Sequence, residues 1–339
     1  MNSLKNTLLE ENLKESRNTG MIPMVNPLTQ WVVQPVTTNS FFAIGRYEVD
    51  GHCLTYQLHF MIVGEIMNYN VSLTDETTGE YYSEDKVMPV EAAYQEIIGE
   101  GKDAKQIFRM PNGCLEATST EMHWEGILKN GKIVVDMEAY GYPVYNGGSG
   151  KFGSCMKDEV FHQYSLPNMK TTGTIELNGV TYQVSGDSWV DRQWQQEGES
   201  RDIVNTKWNW IWMDINLDNG DVISLWDMHN ITRNFNNAWG TIMHPDGTQS
   251  VVKMELLAEN TTDYWTSPIS GNRYPVAFDV KFPDINTNLQ VTSVVKESEI
   301  VSEVPFLTKY EGACTVSGTY MGKEAKGHCL LEILGDWHE

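Results

Sequence analysis

For most of its length the chain alternates apolar and polar residues in short runs. Cys53–Val63, Lys132–Met137, Gly173–Leu177, Thr181–Val184, Trp208–Leu217 and Asp221–Met228 are the clearest, each bounded by Gly, Asn, Asp or Pro. A two-residue period over such runs is the mark of a strand with one buried face. Asn130-Gly131, Asn178-Gly179 and Asn219-Gly220 join or flank several of them. An Asn-Gly pair accepts the positive φ values of a type I′ turn, so each predicts a tight hairpin. Helical periodicity is confined to residues 4–16, a short N-terminal arm, and to Val90–Gly99, where Val90, Ala93, Tyr94 and Ile97 share a helical face. Many hairpin-linked strands imply barrels or sandwiches, not a parallel sheet flanked by helices. The polar stretch Gln195–Lys207 is the expected connection between two β-rich halves. The expected division is an arm over 1–30, one β domain over 31–197 and a second over 205–339.

The alternation also places chemistry. Trp208, Trp210 and Trp212 alternate with Asn209, Ile211 and Met213, so three indoles share one strand face, with Asp214 next on that face. Burying an unpartnered carboxylate is expensive, so an Asp there is unusual. If Asn219 and Gly220 are the two central residues of the turn, partners sum to 439, and Trp212 faces Asp227 while Trp210 faces His229. Trp210, Trp212, Asp214, Asp227 and His229 then share a face, with Asp214 and Asp227 as diagonal neighbours. Two carboxyls in an apolar setting have their pKa values driven apart, which suits an acid and a base. A one-residue slip in the turn would move Asp227 and His229 to the other side. Core packing of the Trp face with solvated Asp227 and His229 is the competing expectation.

Composition narrows the function. Of 339 residues 24 are basic and 46 acidic, a net charge of −22. Phosphate backbones and anionic membranes attract clustered Lys and Arg, so neither nucleic acid nor a membrane surface is an expected partner. No apolar run approaches a membrane span. Cys53, Cys114, Cys155, Cys314 and Cys329 are scattered, with no CxxC pair. That pattern fits a reducing compartment, and a cytoplasmic location is expected. Asn146–Gly153 resembles a phosphate loop, but Tyr145 and Phe152 stand where that motif needs Gly and Ser or Thr. With no dinucleotide fingerprint, no zinc-protease motif and no His/Cys ligand spacing, neither a metal nor an organic cofactor is expected. Seven tryptophans, Trp189, Trp194, Trp208, Trp210, Trp212, Trp226 and Trp239, fall within 51 residues. They line either a dense core or an aromatic cavity.

The densest run, Gly186-x-x-Trp189-x-Asp191-Arg192-x-Trp194, resembles the signature of the AttH/carotenoid 1,2-hydratase lipocalin-like family. Trp208-x-Trp210, Asp218-Asn-Gly-Asp221, Tyr264-Trp-Thr-Ser-Pro268, Gly271-Asn-Arg-Tyr-Pro275, Tyr310-Glu-Gly312 and Leu331-Glu332 follow in family order, and Gly45-Arg-Tyr47 is a fainter echo of the lipocalin motif. The resemblance implies an all-β chain of two consecutive lipocalin-like antiparallel barrels, with a ligand cavity at their contact. It implies cofactor-independent chemistry on a C=C bond of an apolar, phenolic or isoprenoid molecule: hydration or dehydration, with isomerisation, cyclisation or simple carriage as alternatives. The family's hydratases carry Asp-His-x-Trp and, some twenty residues on, an aromatic-x-Asp pair. Asp191, Trp194, Trp212 and Asp214 match, while Arg192 stands in place of His. Arg does not exchange protons near neutral pH. The expected acid is therefore Asp214, with Asp191 or Asp227 guiding water, Arg192 orienting the substrate, and Trp189, Trp194, Trp210, Trp212 and His229 lining the site.

Overall fold

The computed structural model describes residues 38–100, 104–153, 160–195 and 208–338. The expected N-terminal arm and residues 196–207 of the connection lie outside them. Strands pair antiparallel in two sheets, one of thirteen strands between Thr38 and Gln195 and one of ten between Trp208 and Leu334. The only helical turns among the described residues are short 3₁₀ segments.

Each sheet curls until distant strands meet. In the first, the Tyr69 hydroxyl donates to the Glu125 carbonyl at 2.7 Å, and Asn112 Nδ2 donates to the Tyr69 carbonyl at 2.8 Å. Phe60 stacks on Tyr69 inside the closure, with Trp124 beyond. In the second, Gly240 lets the Phe282 ring cross it; a Cβ there would sit 2.7 Å from the ring. Alternation sends one face of each strand inward, giving each barrel its own core. A third core, with Phe42, Phe161, Trp189, Trp212, Trp226 and Trp239, lies where the outer faces of the two sheets meet. The glycine-rich segment at 146–153 belongs to this contact: Gly147 N–H donates to Thr241 Oγ1 at 3.0 Å, and Phe152 packs against Phe161, Trp226 and Trp239.

Two local expectations fail outright, and a third, the type I′ turn at Asn130-Gly131, is displaced by one residue: Leu128 pairs with Gly131, Lys129 and Asn130 are the central residues, and neither Asn130 nor Gly131 has positive φ. Val90–Gly99 is not helical: Val90–Ala92 is a single 3₁₀ turn, and Tyr94–Ile98 is a strand paired with Lys105–Met110. Tyr94, Ile97 and Ile98 are exposed, so no core was offered to an apolar helix face, and a helix this short gains little without one. The turn at Asn219-Gly220 is the second. Asn178-Gly179 has positive φ at both residues, 52° and 81°, as type I′ requires. At 218–220 only Gly220 has positive φ, 88°, and its N–H donates to the Leu217 carbonyl at 2.9 Å. This is a three-residue loop, a type I turn closed by a left-handed glycine. The pairing sum is 438: Trp212 faces Trp226, Trp210 faces Met228, and Asp227 faces Ile211.

Candidate functional site

The outer face of the first sheet supplies one wall of a cavity of about 100 Å³ between the barrels. Ser40 and Phe42 come from Thr38–Val49, His59 from His52–Val63, Phe161 and Gln163 from Val160–Leu177, and Asp191 from Val180–Gln195. Asp191 pairs with Phe42, and Phe42 with His59, so the three form a row across adjacent strands. At about 4.8 Å per strand, the Cα atoms of Asp191 and His59 are about 10 Å apart. The second sheet supplies Trp208, Trp210, Trp212, Trp226, Lys309 and Glu332. Trp208, Trp210 and Trp212 do share one face, as their alternation predicts.

Asp191 is the carboxyl that reaches this cavity from the signature run. Trp189 Nε1 donates to its Oδ1 and Gln163 Nε2 to its Oδ2, both at 2.7 Å. Gln163 is oriented from the other sheet, since Trp226 Nε1 donates to its Oε1 at 3.0 Å. Burial pushes the Asp191 pKa up to about 7; hydrogen bonds from Ser165, Trp189 and Gln163 oppose that, and the charge of Glu332 adds to it. At neutral pH both protonation states are therefore populated.

The other expected residues separate. Asp214 is buried on the Trp face, but Leu330 N–H donates to its Oδ1 at 2.6 Å and Asn216 Nδ2 to its Oδ2 at 3.2 Å. Its side chain takes an N–H that the adjacent strand would otherwise give to the ladder, and it does not line the cavity. Burial holds its pKa well above the ordinary carboxylate range. Asp227 and His229, expected beside Trp210 and Trp212, lie on the opposite face because of the turn register. Asp227 accepts from Leu257 N–H at 2.7 Å and bonds His229 Nε2 at 2.7 Å, tying a loop to the second barrel. Arg192 and Trp194 alternate with Asp191 and point into the first barrel. The Arg192 guanidinium lies 4.1 Å over Phe41 and donates to the Ser40 and Gln193 carbonyls at 3.1 and 2.9 Å. Burial pulls its pKa down to about 9, which leaves it a cation at neutral pH. Trp189 holds Asp191 without lining the cavity, while Trp210 and Trp212 line it directly.

A second polar group, not expected as part of the site although Glu311 and Glu332 fall in the family-like motifs, faces Asp191 along the same cavity. Lys309 Nζ contacts Glu311, lies 3.2 Å from Glu332 Oε2 and 2.7 Å from His59 Nδ1. Trp210 Nε1 donates to Glu332 Oε1 at 2.9 Å, and His59 Nε2 lies 2.7 Å from Ser40 Oγ. Burial pulls Lys309 down, but Glu311 and Glu332 outweigh it and hold the ammonium above its ordinary pKa. Burial pushes Glu311 well up, and burial with the Lys309 charge holds His59 well below its usual value. Lys309 thus stands as an ammonium among two carboxyl groups and a neutral imidazole. Its sequence signal is slight: Lys309-x-Glu311 and Glu332 place charges that alternate with the core residues Tyr310, Leu331 and Ile333.

Among the described residues two groups have ligand atoms close enough for a metal: Cys114, His123 and Glu125 on the outside of the first barrel, and His59, Glu311 and Glu332 here. In the second, the Lys309 ammonium already stands among the three as their cation.

The AttH-like family model matches residues 60–336. Kievitone hydratase of Fusarium solani subsp. phaseoli is 23% identical over 231 residues, 66% of this chain and 63% of that protein. Dehydratase asqC of Emericella nidulans is 23% identical over 57% of this chain and 55% of its own length. The chain thus aligns with less than two thirds of either relative. The crystal structure of kievitone hydratase from Nectria haematococca superposes with a TM-score of 0.78 at 20% identity, covering 94% of this chain and 95% of that one.

Proposed function

The chain belongs to the AttH-like family, and on that footing we propose that it is a lyase of the hydratase/dehydratase type, acting on a C=C bond of an apolar or phenolic small molecule between the two barrels. The observation that carries this reading is Asp191. It is a buried carboxyl with a pKa of about 7, lining an aromatic cavity and fixed by two side-chain donors. A group half protonated at neutral pH is suited to give a proton to carbon in one direction and to recover it in the other. Trp210, Trp212 and Trp226 line the same space, and a developing carbocation over a desolvated indole ring gains about 1–2 kcal/mol. The proton transfer uses protein groups alone. The names of the two relatives, a hydratase and a dehydratase, agree with the addition or loss of water.

The test is mass spectrometry of a panel of unsaturated phenolic and isoprenoid compounds and their hydrates, scored for gain or loss of one water. Wild-type protein should convert at least one pair. Asp191→Asn should lower turnover by about 10²- to 10⁴-fold while still quenching tryptophan fluorescence on ligand binding. Turnover untouched by Asp191→Asn would remove the proton-transfer role.

A further inference from the structure

We propose that the Ser40 hydroxyl is a hydrogen-bond donor aimed into the cavity and backed by the Lys309 ammonium through His59, and that it grips a carbonyl or phenol oxygen on the ligand. The proposal rests on the reading of this cavity as the substrate site, and it narrows the substrate to an unsaturated molecule whose double bond is conjugated with oxygen.

The polarity of the chain follows from its first member. A lysine ammonium has three N–H donors and no acceptor. The 2.7 Å contact from Lys309 Nζ therefore makes His59 Nδ1 the acceptor. His59, kept neutral, has one ring proton left to place, and it must sit on Nε2. That proton is donated to Ser40 Oγ, 2.7 Å away. Ser40 now accepts from the imidazole, so its own O–H is the next donor in line. Among the described residues no second side-chain partner takes it, and Ser40 lines the cavity. Every bond in the series points from the ammonium toward the ligand space.

Such a series favours an oxygen acceptor, and an anionic one most. Hydrogen bonds that run head to tail polarise one another, and bonds to a charged partner are roughly twice as strong as neutral ones. A plain hydrocarbon would leave the Ser40 donor buried and unpaired, its desolvation uncompensated. A phenolate oxygen on Ser40 pushes electron density into a conjugated double bond lying toward Asp191 and favours its protonation there, while a carbonyl oxygen on Ser40 accepts the density displaced when water adds to the far end of the double bond. The second sheet supports the geometry: Glu332 is pinned by Trp210, and Glu311 and Glu332 hold Lys309 in place.

The experiment uses the whole protein and two probes of nearly one shape, 4-nitrophenol and nitrobenzene, which differ by the hydroxyl. Binding is followed by tryptophan quenching and, for the phenol, by the visible band of its anion. Wild-type protein should favour the phenolate, binding it at least tenfold more tightly than nitrobenzene and shifting the bound phenol toward its anion. Ser40→Ala should weaken phenolate binding by about 10- to 100-fold, the equivalent of about 1.5–3 kcal/mol for a bond to a charged group, and leave nitrobenzene affinity within about twofold. Ser40→Thr, which keeps the hydroxyl, should restore most of the difference. Equal losses for both probes, no loss for either, or no binding of either probe by the wild type would overturn the proposal. Failure of the lyase reading would look different: Asp191→Asn would leave turnover untouched while the Ser40 effect on the phenol persisted.

Discussion

Two buried aspartates stand close to the same tryptophans, and their partners separate their roles. Asp214 is consumed by the backbone, its Oδ1 accepting the Leu330 N–H. Asp191 is held only by side chains and opens onto the cavity. Asp214→Asn keeps an acceptor for Leu330 and should retain most turnover. Asp214→Ala strands that N–H and should lower stability by about 1–3 kcal/mol, read as a fall in the denaturant midpoint. Loss of activity in Asp214→Asn with folding intact would return the proton-transfer role to Asp214. Asp191 also makes a pH prediction. A free aspartate ionises near 3.9, and in the fold Asp191 ionises at about 7. Between those values the folded chain binds the extra proton, so this contribution to stability is full below about pH 4 and is lost as pH rises through about 7. Asp191→Asn removes it. The mutant should therefore gain on the wild type between about pH 4 and pH 8 by on the order of 4 kcal/mol, measured by parallel denaturation curves. Residue by residue, the sequence is informative where neighbours along the chain are neighbours in space. Trp189 and Asp191 sit two apart and bond each other, and their run is conspicuous. Ser40 and His59 are brought together by one hairpin and Lys309 and Glu332 by another, but the two pairs meet only because the sheets pack face to face, and no local spacing announces that.

At the scale of the element, strand alternation and hairpin chemistry recover nearly every strand named from the sequence, because the two-residue period is imposed by burial on one side. What they do not recover is loop length. Asn219-Gly220 and Asn178-Gly179 are the same dipeptide, yet one closes a three-residue loop and the other a two-residue one. The single-residue difference moves Asp227 and His229 to the far side of the sheet. The contrast is measurable. Asn178 sits at a φ of 52°, in the left-handed region, where a residue with a Cβ and no local polar group is disfavoured by about 1–2 kcal/mol. Asn219 does not, and its side chain only accepts the Asp221 N–H at 3.1 Å. Asn178→Ala should therefore lower the unfolding free energy by about 1 kcal/mol or more, and Asn219→Ala by clearly less. Equal costs at the two sites would mean that the two turns are of one kind.

Across the whole molecule, the catalytic reading and the fold depend on one contact. Asp191 is oriented by Gln163, Gln163 by Trp226, and Ser40 is polarised by Lys309, so each wall of the cavity is set by the sheet opposite. Further bonds cross the same contact: Gln249 Oε1 accepts from Tyr145 N–H at 2.9 Å, and its Nε2 donates to the Pro143 carbonyl at 2.7 Å. Phe42 meets Trp212 edge-on at 5.6 Å, and Phe161 meets Trp226 at 6.4 Å. An aromatic contact of this kind, with its buried ammonium paired by Glu311 and Glu332, resembles a permanent interface more than a transient one. The domain division expected near 195–207 therefore makes a sharp prediction. A protease site placed within 196–207 and cut after folding should leave the two pieces together through gel filtration, and the 4-nitrophenol band shift should survive the cut. The pieces should part only in denaturant, because separation would expose Phe42, Trp189, Trp212 and Trp226 and break the Trp226–Gln163 and Lys309–His59 bonds. Pieces that separate under native conditions and remain folded would show that the contact is weak, and a cavity walled by both barrels would then lack the rigidity that proton transfer from Asp191 requires.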